Sequence, residues 1–265
     1  VGYRSLHGNT TGGSNAALGH FSLVFNTTGA ENVGIGASAL FNNTTGSFNV
    51  GVGRQALSAT TTSQFNTAVG YRAGSMHDMG WNNTFIGANA STNAAGIFNA
   101  VAIGESAVCT GSNMVRLGNS STTSIGGAVG FSNISDGRYK KNIQDDVKGL
   151  DFIMKLRPVT YQMDMAGINS KLYADRAQGA THTAEQEKQI FSGFIAQDVE
   201  QAAKETGYDF SGVDKPKNQN DLYGLRYSEF VVPLVKAMQE QQKMIEELKK
   251  QNADLQKRIE ALERK

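Results

Sequence analysis

Asn32-Val33-Gly34-Ile35-Gly36 and Asn49-Val50-Gly51-Val52-Gly53 are the same phrase written 17 residues apart. It recurs as Asn15-Ala16-Ala17-Leu18-Gly19, Asn66-Thr67-Ala68-Val69-Gly70 and Asn83-Thr84-Phe85-Ile86-Gly87. The closing glycine belongs to a series at 2, 19, 36, 53, 70, 87 and 104, followed by Gly118 after a shortened step of 14. A fixed period this short does not suit most helical repeats; it suits one coil of a β-solenoid. Alternating apolar pairs such as Val33/Ile35 and Val50/Val52 supply the strands, and Thr-Thr-Gly at 27–29 and 44–46 supplies the turns. One coil cannot bury its apolar face alone, so the coils must stack on each other or on other chains. Three residues past each glycine stands a small residue: Ser5, Ser22, Ala39, Ala56, Ala73, Ala90, Ala107. Small residues at a fixed phase suggest close backbone approach, as for strands packing across a symmetry axis. The recurring Phe25, Phe41, Phe48 and Phe65 read as core. Asn-Thr-Thr at 9, 26 and 43 matches a glycosylation acceptor, but its phasing makes it a turn element first.

Outward from the repeats, the chain changes character near residue 130. Of 25 basic and 24 acidic residues, only Arg4, Glu31, Arg54, Arg72, Asp78, Glu105 and Arg116 precede position 131, whereas 22 of the 30 glycines do. The near-neutral balance gives no reason to expect nucleic acid or an anionic membrane as partner. No apolar run is long enough to span a bilayer. Cys109 is the only cysteine and the four histidines are far apart, so neither a disulfide framework nor a metal site is expected, and no motif calls for a cofactor. Glu31, Asp78 and Glu105, the only carboxylates before residue 131, are separated by whole coils, which argues against a paired-carboxylate glycosidase. Val1 falls inside a repeat, so the sequence reads as a piece of a longer one and its lack of a leader is uninformative.

At the junction stands Ser135-Asp136-Gly137-Arg138-Tyr139-Lys140-Lys141-Asn142-Ile143. A serine hydroxyl and a lysine amine five residues apart suffice for a Ser-Lys dyad, in which an unprotonated amine takes the proton of the attacking hydroxyl. The same residues also make an ordinary Asp-Gly turn, with Ser135 or Asp136 as a cap and Lys140 in solvent. Beyond it, residues 150–156 read as a helix stopped by Pro158, 159–163 as a strand, 164–188 as a mobile loop or hairpin tip, 190–195 as a second strand, 196–204 as a helix and 222–227 as a third strand. A helix runs from about Ser228 to the end. Its apolar positions Val231, Leu234, Met238, Ile245, Leu248, Leu255, Ile259 and Leu262 alternate in steps of four and three, with Gln241 and Asn252 in the two gaps. This is a heptad seam and predicts self-association; its Ile and Leu choices alone favour two strands.

Two resemblances follow. Residues 1–125 resemble the head repeats of trimeric autotransporter adhesins of the YadA type and similar repeats of phage tail fibres. That implies a left-handed parallel β-roll with three chains side by side; the period here is a few residues longer. Ser135–Ile143, then Gly193-Phe194-Ile195-Ala196-Gln197-Asp198-Val199, then Tyr227–Glu240 resemble in order three motifs of the C-terminal intramolecular chaperone of phage tail spikes and fibres, the peptidase S74 family. A proline usual after the second motif is missing from 201–207, which touches a loop and not the dyad. The resemblance implies a homotrimer whose chaperone drives assembly of the fibre and then releases itself by one cut between Ile134 and Ser135. Ser135 is then the nucleophile, Lys140 its base, and Asp136 and Arg138 supporting groups. It leaves open whether the cut is within a chain or between chains. The expected organisation is thus a mainly β trimeric solenoid (1–130), an α+β chaperone core (131–227) and a coiled-coil helix (228–265), with Met238, Ile245, Leu248, Asn252, Leu255, Ile259 and Leu262 as the trimer seam. A virion is the expected location, with a bacterial cell surface as alternative. A host receptor on the β-roll, or a stalk that is never cut, remains compatible with the residues.

Overall fold

The computed structural model describes residues 1–173 and 184–264. The chain divides into two compact units, the first made of 1–130 with 162–189 and 216–222, the second of 131–161, 190–215 and 223–265.

The first unit is a parallel β-solenoid. Strands β1 (Ala16–Leu18), β2 (Val33–Ile35), β3 (Val50–Val52), β4 (Thr67–Val69), β5 (Thr84–Ile86), β7 (Ala100–Ile103) and β9 (Met114–Leu117) form one seven-stranded parallel sheet in that order. Registers advance by 17, Ala16 on Val33 through Thr84 on Val101, until the last pair, where Ala100 meets Met114. The shortened glycine step is therefore a coil three residues short. Strands β6 (Ser91–Thr92) and β8 (Val108–Cys109) add a small second parallel pair.

Stacking at strand spacing explains the repeat residue by residue. Gly53 has φ +130°, and a Cβ there would lie 2.4 Å from the carbonyl oxygen of Gly70. Only glycine passes at that corner. The residues three past each glycine, from Ser22 through Ala107, are fully buried inside their own coil. They cannot pack across a symmetry axis, and that expectation is corrected: they are small because the coil's two walls meet there. The core proper is the column Leu23, Leu40 and Leu57. In the next coil that position is Gly74, whose added Cβ would meet Phe85 and Leu57 side chains, and Phe85 replaces the small inward residues Gly34, Gly51 and Ala68 of the neighbouring strands. A large residue on one wall compensates a missing one on the other.

Phe25, Phe48 and Phe65 are half exposed and not core. They lie on the outer surface in aromatic pairs, Phe25 edge-on to Phe41 at 5.0 Å and Phe48 stacked on Phe65 at 4.8 Å between ring centroids. Asparagines do the polar work within. Asn32, Asn49, Asn66 and Asn83 are buried, and each accepts through Oδ1 the backbone N–H of the residue one coil on (2.9–3.0 Å) while its Nδ2 donates to a turn carbonyl. A second column joins Asn43 Nδ2 to Asn26 Oδ1 (2.7 Å) and Asn26 Nδ2 to Asn9 Oδ1 (2.8 Å), so the Asn-Thr-Thr runs are turn elements, their amides consumed inside the coil.

Two helices, α2 (Met165–Tyr173) and α3 (Ala184–Lys188), stand where composition suggested a loop; residues 174–183 lie outside the described residues. Burial of Tyr173, whose hydroxyl donates to Ser106 O at 2.9 Å, ties α2 to the solenoid end and overrides a sequence with little helical pattern. The 216–222 segment is held by Thr110 Oγ1 donating to Asp221 Oδ1 (2.6 Å) and Asn218 Nδ2 donating to Thr110 O (2.7 Å).

The second unit is small and α+β. Helix α1 (Leu150–Ile153), the hairpin of β10 (Val159–Tyr161) and β11 (Phe191–Gly193), helix α4 (Ala196–Glu205) and the short pair β12 (Val213–Asp214) and β13 (Gly224–Leu225) surround Phe152, Val199, Ala202, Ala203, Phe210 and Phe230. Helix α5 (Val231–Glu263) follows a 3-10 turn at Tyr227–Phe230. It is anchored by its first turns, where Pro233 and Ala237 are buried and Glu240 Oε2 accepts the Leu150 N–H at 2.8 Å. The expected elements are present but shorter at 150–156, 159–163, 190–195 and 222–227, because aromatic packing, not ladder pairing, holds this unit together.

Candidate functional site

Asp136 decides the local shape of the junction. Its Oδ1 accepts the backbone N–H of Arg138 at 3.0 Å and caps a 3-10 turn over Gly137–Tyr139. Lys140 N donates to Gly137 O at 3.2 Å and the chain reverses. That reversal brings Lys140 Nζ to 2.8 Å from Ser135 Oγ. Sequence spacing alone left this contact open; the capped turn makes it.

Arg138 is turned to the other side. Its Nε and Nη2 hold the Asp136 carboxylate at 3.0 and 2.6 Å, and the hydrogen bonds from Arg138 keep the Asp136 carboxyl below its ordinary range while the carboxylate raises Arg138 further. The guanidinium charge is thus largely answered by Asp136, and Lys140 is exposed in a single chain. The bond to be tested is equally open: Ile134 is 95% exposed, on a stretch in which Val129 and Phe131 are also in solvent.

The second motif does structural work nearby in its unit. A Cβ on Gly193 would lie 2.3 Å from the Tyr227 hydroxyl, and that hydroxyl accepts the Phe194 N–H at 3.1 Å. Phe194 stacks on Phe230 at 5.3 Å. Glycine at 193 therefore admits the tyrosine that opens the closing motif. Tyr227 was legible as part of a motif but not as the partner of Gly193. Gln197 sits exposed on the first turn of α4.

The seam residues of α5 form an unpartnered stripe. Met238, Ile245, Leu248, Leu255, Ile259 and Leu262 are between 45% and 70% exposed, with Asn252 exposed among them. The solenoid carries a second stripe, the last residues of six of the seven strands: Leu18, Ile35, Val69, Ile86, Ile103 and Leu117 are exposed apolar side chains, with Val52 of β3 half-buried among them. Among the described residues no cluster of His, Cys, Asp and Glu could hold a metal ion, and no helix is long and apolar enough to cross a membrane.

Fold and junction together define a repeat solenoid followed by a small α+β module with a long terminal helix. Residues 135–208 match the peptidase S74 family model, described as the chaperone of endosialidase, and the match begins at Ser135 itself. That stretch is similar to the domain this family model describes, and it holds both the junction motif and the Gly193 motif. No curated protein and no solved structure matches the chain.

Proposed function

We propose that the chain is the distal part of a homotrimeric phage tail fibre or spike whose C-terminal module guides assembly and then frees itself by cutting between Ile134 and Ser135. The observation that carries the reading is the 2.8 Å contact of Lys140 Nζ with Ser135 Oγ beside an exposed Ile134. Ser135 Oγ attacks the Ile134 carbonyl carbon as neutral Lys140 takes its proton. The C–N bond breaks, the Ser135 nitrogen leaves as an amine with a proton from Lys140, and the ester left on Oγ is opened by water to the Ile134 carboxylate. An ammonium cannot act as a base, and burial disfavours the charged form.

The two exposed apolar stripes support self-association, since faces of this kind mark interfaces. Near-identical coils offer many registers, so a terminal coiled coil that sets the stagger serves as the guide. Loss of that guide after the cut closes the reverse route and converts equilibrium stability into kinetic stability. A virion is the location this implies. A stalk that is never cut and only binds a host surface is the competing reading, favoured by the aromatic pairs on the solenoid surface.

A denaturing gel of the freshly expressed chain separates the two. Two bands of nearly equal size, residues 1–134 and 135–265, are expected, with Ser135→Ala and Lys140→Ala each leaving one intact chain. Full cleavage in Ser135→Ala removes the nucleophile assignment, and an intact wild-type chain favours the stalk.

A further inference from the structure

Two neighbouring columns of side chains lie at the solenoid surface just before the strands. One reads Ser47, Gln64, Trp81, Phe98 and the other Phe48, Phe65, Asn82, Asn99, each at the 17-residue step. Aromatic pairs stack along the coil axis, Phe48 on Phe65 with rings 4° from parallel and Trp81 on Phe98 at 5.4 Å and 12°. Between the coils of Phe65 and Trp81 the aromatic residue changes column. Each stack ends there, and an open cleft of about 640 Å³ lies between them, lined by Thr62, Ser63, Gln64, Phe65, Trp81 and Asn82. Phe65 and Trp81 are 50% and 54% exposed.

The chemistry of this lining is specific. None of its side chains is charged, and the adjacent Asp78 carboxylate is already taken by Thr61 N (3.1 Å) and Ser63 Oγ (3.1 Å). Among the described residues, the side-chain amides of Gln64 and Asn82 engage in no hydrogen bond, so each offers two donors and an acceptor to the cleft. A charged ligand would lose water here without a partner. A ligand with an apolar C–H face and a rim of hydroxyls would cover ring surface and meet the amides.

We propose that this cleft binds a neutral saccharide, one sugar ring lying against Phe65 or Trp81 with its hydroxyls on Gln64 and Asn82. The inference rests on the solenoid being the surface-binding part of the proposed fibre and is independent of cleavage. A second copy of the chain is the weaker occupant: the strand stripe expected to meet a neighbour repeats in every coil, whereas the column change occurs at one.

Trp81 is the only tryptophan, so its emission reports this cleft alone. The purified protein is titrated with lactose, maltose, cellobiose and neutral galactan and mannan oligosaccharides, with sialyllactose as the charged comparison. A saturable change with a neutral sugar, weakened about tenfold or more in Gln64→Ala and in Asn82→Ala at unchanged oligomeric mass, is the expected result. No saturable change with any of these sugars, tighter binding of sialyllactose than of lactose, or a change indifferent to both substitutions overturns the proposal. So does shielding of Trp81 from acrylamide in the assembled protein, which assigns the cleft to a neighbouring copy. The gel pattern and mass of the same sample read cleavage and assembly separately, so failure of the saccharide site and failure of the proposed function are distinguishable.

Discussion

At the scale of single residues, the interior of the solenoid holds a polar column that stops short. Asn9, Asn26 and Asn43 pass hydrogen bonds upward, but the next position is Thr60, and both Asn43 Oδ1 and Thr60 Oγ1 are buried without a partner. An unmade buried hydrogen bond costs about 1–3 kcal/mol. Thr60→Asn extends the column by one rung and is expected to stabilise the protein by about 1 kcal/mol, read as a higher urea midpoint at unchanged slope; an unchanged or lower midpoint refutes the account. Asp221 gives a pH dependence. Burial alone would raise its carboxyl, but hydrogen bonds from Thr110, Lys217 N and Leu222 N, with Arg116, outweigh burial and lower it. A group whose folded value is depressed contributes stability above its unfolded value and loses it as pH falls through the folded one. The 216–222 segment is therefore expected to stay docked on the Thr110 coil at neutral pH and to loosen only below the ordinary carboxylate range, seen as faster exchange of the Lys217 and Leu222 amides. Asp221→Asn should flatten that dependence.

At the scale of elements, the coil is the unit of exchange. Every register from β1 to β7 advances by 17, so deletion of residues 36–52 joins Ile35 to Gly53 and restores an unbroken ladder. The shortened protein is expected to fold and, if the proposed function holds, to be cut as before. Deletion of 36–51 instead shifts every later side chain to the wrong wall and should give insoluble chain; equal solubility of the two counts against register as the organising constraint. The period, the strands and the shortened last step were legible in the sequence because each coil repeats the same demand at the same place. Which wall a residue faces was not. Ala39 and Ala56 are small for packing inside one coil, and the phenylalanines lie outside, because left-handed φ values at Leu40 and Leu57 turn those leucines inward and leave the aromatic positions at the surface. Such kinks alter the period-two rule that strand reading relies on. In the second unit the motif glycine was legible and its reason was not: that Gly193 makes way for Tyr227 needs two segments brought together from 34 positions apart.

At the scale of the whole molecule, stoichiometry sets two tendencies against each other. The α5 seam, with Asn252 in a gap position, by itself favours two strands. The solenoid carries its own apolar stripe on six of the seven strands of its sheet. The stacked coils are expected to set the symmetry over the short seam, so light scattering on uncleaved Ser135→Ala protein should give three times the chain mass, and twice that mass sinks the argument. One feature of the solenoid then takes on a further meaning. Coils of 17 are interchangeable, and a neighbouring chain displaced by a whole coil would meet almost the same surface. The coil of 14 between Ala100 and Met114 has no twin. It is the one landmark of coil length, the only register step other than 17 among the described strands, and it lies at the end nearest the junction in sequence. Chains aligned first at that landmark are in phase everywhere above it, as a tape is read correctly from either hand once its zero is pinned. Length can then be gained or lost by whole coils at the far end without moving the zero.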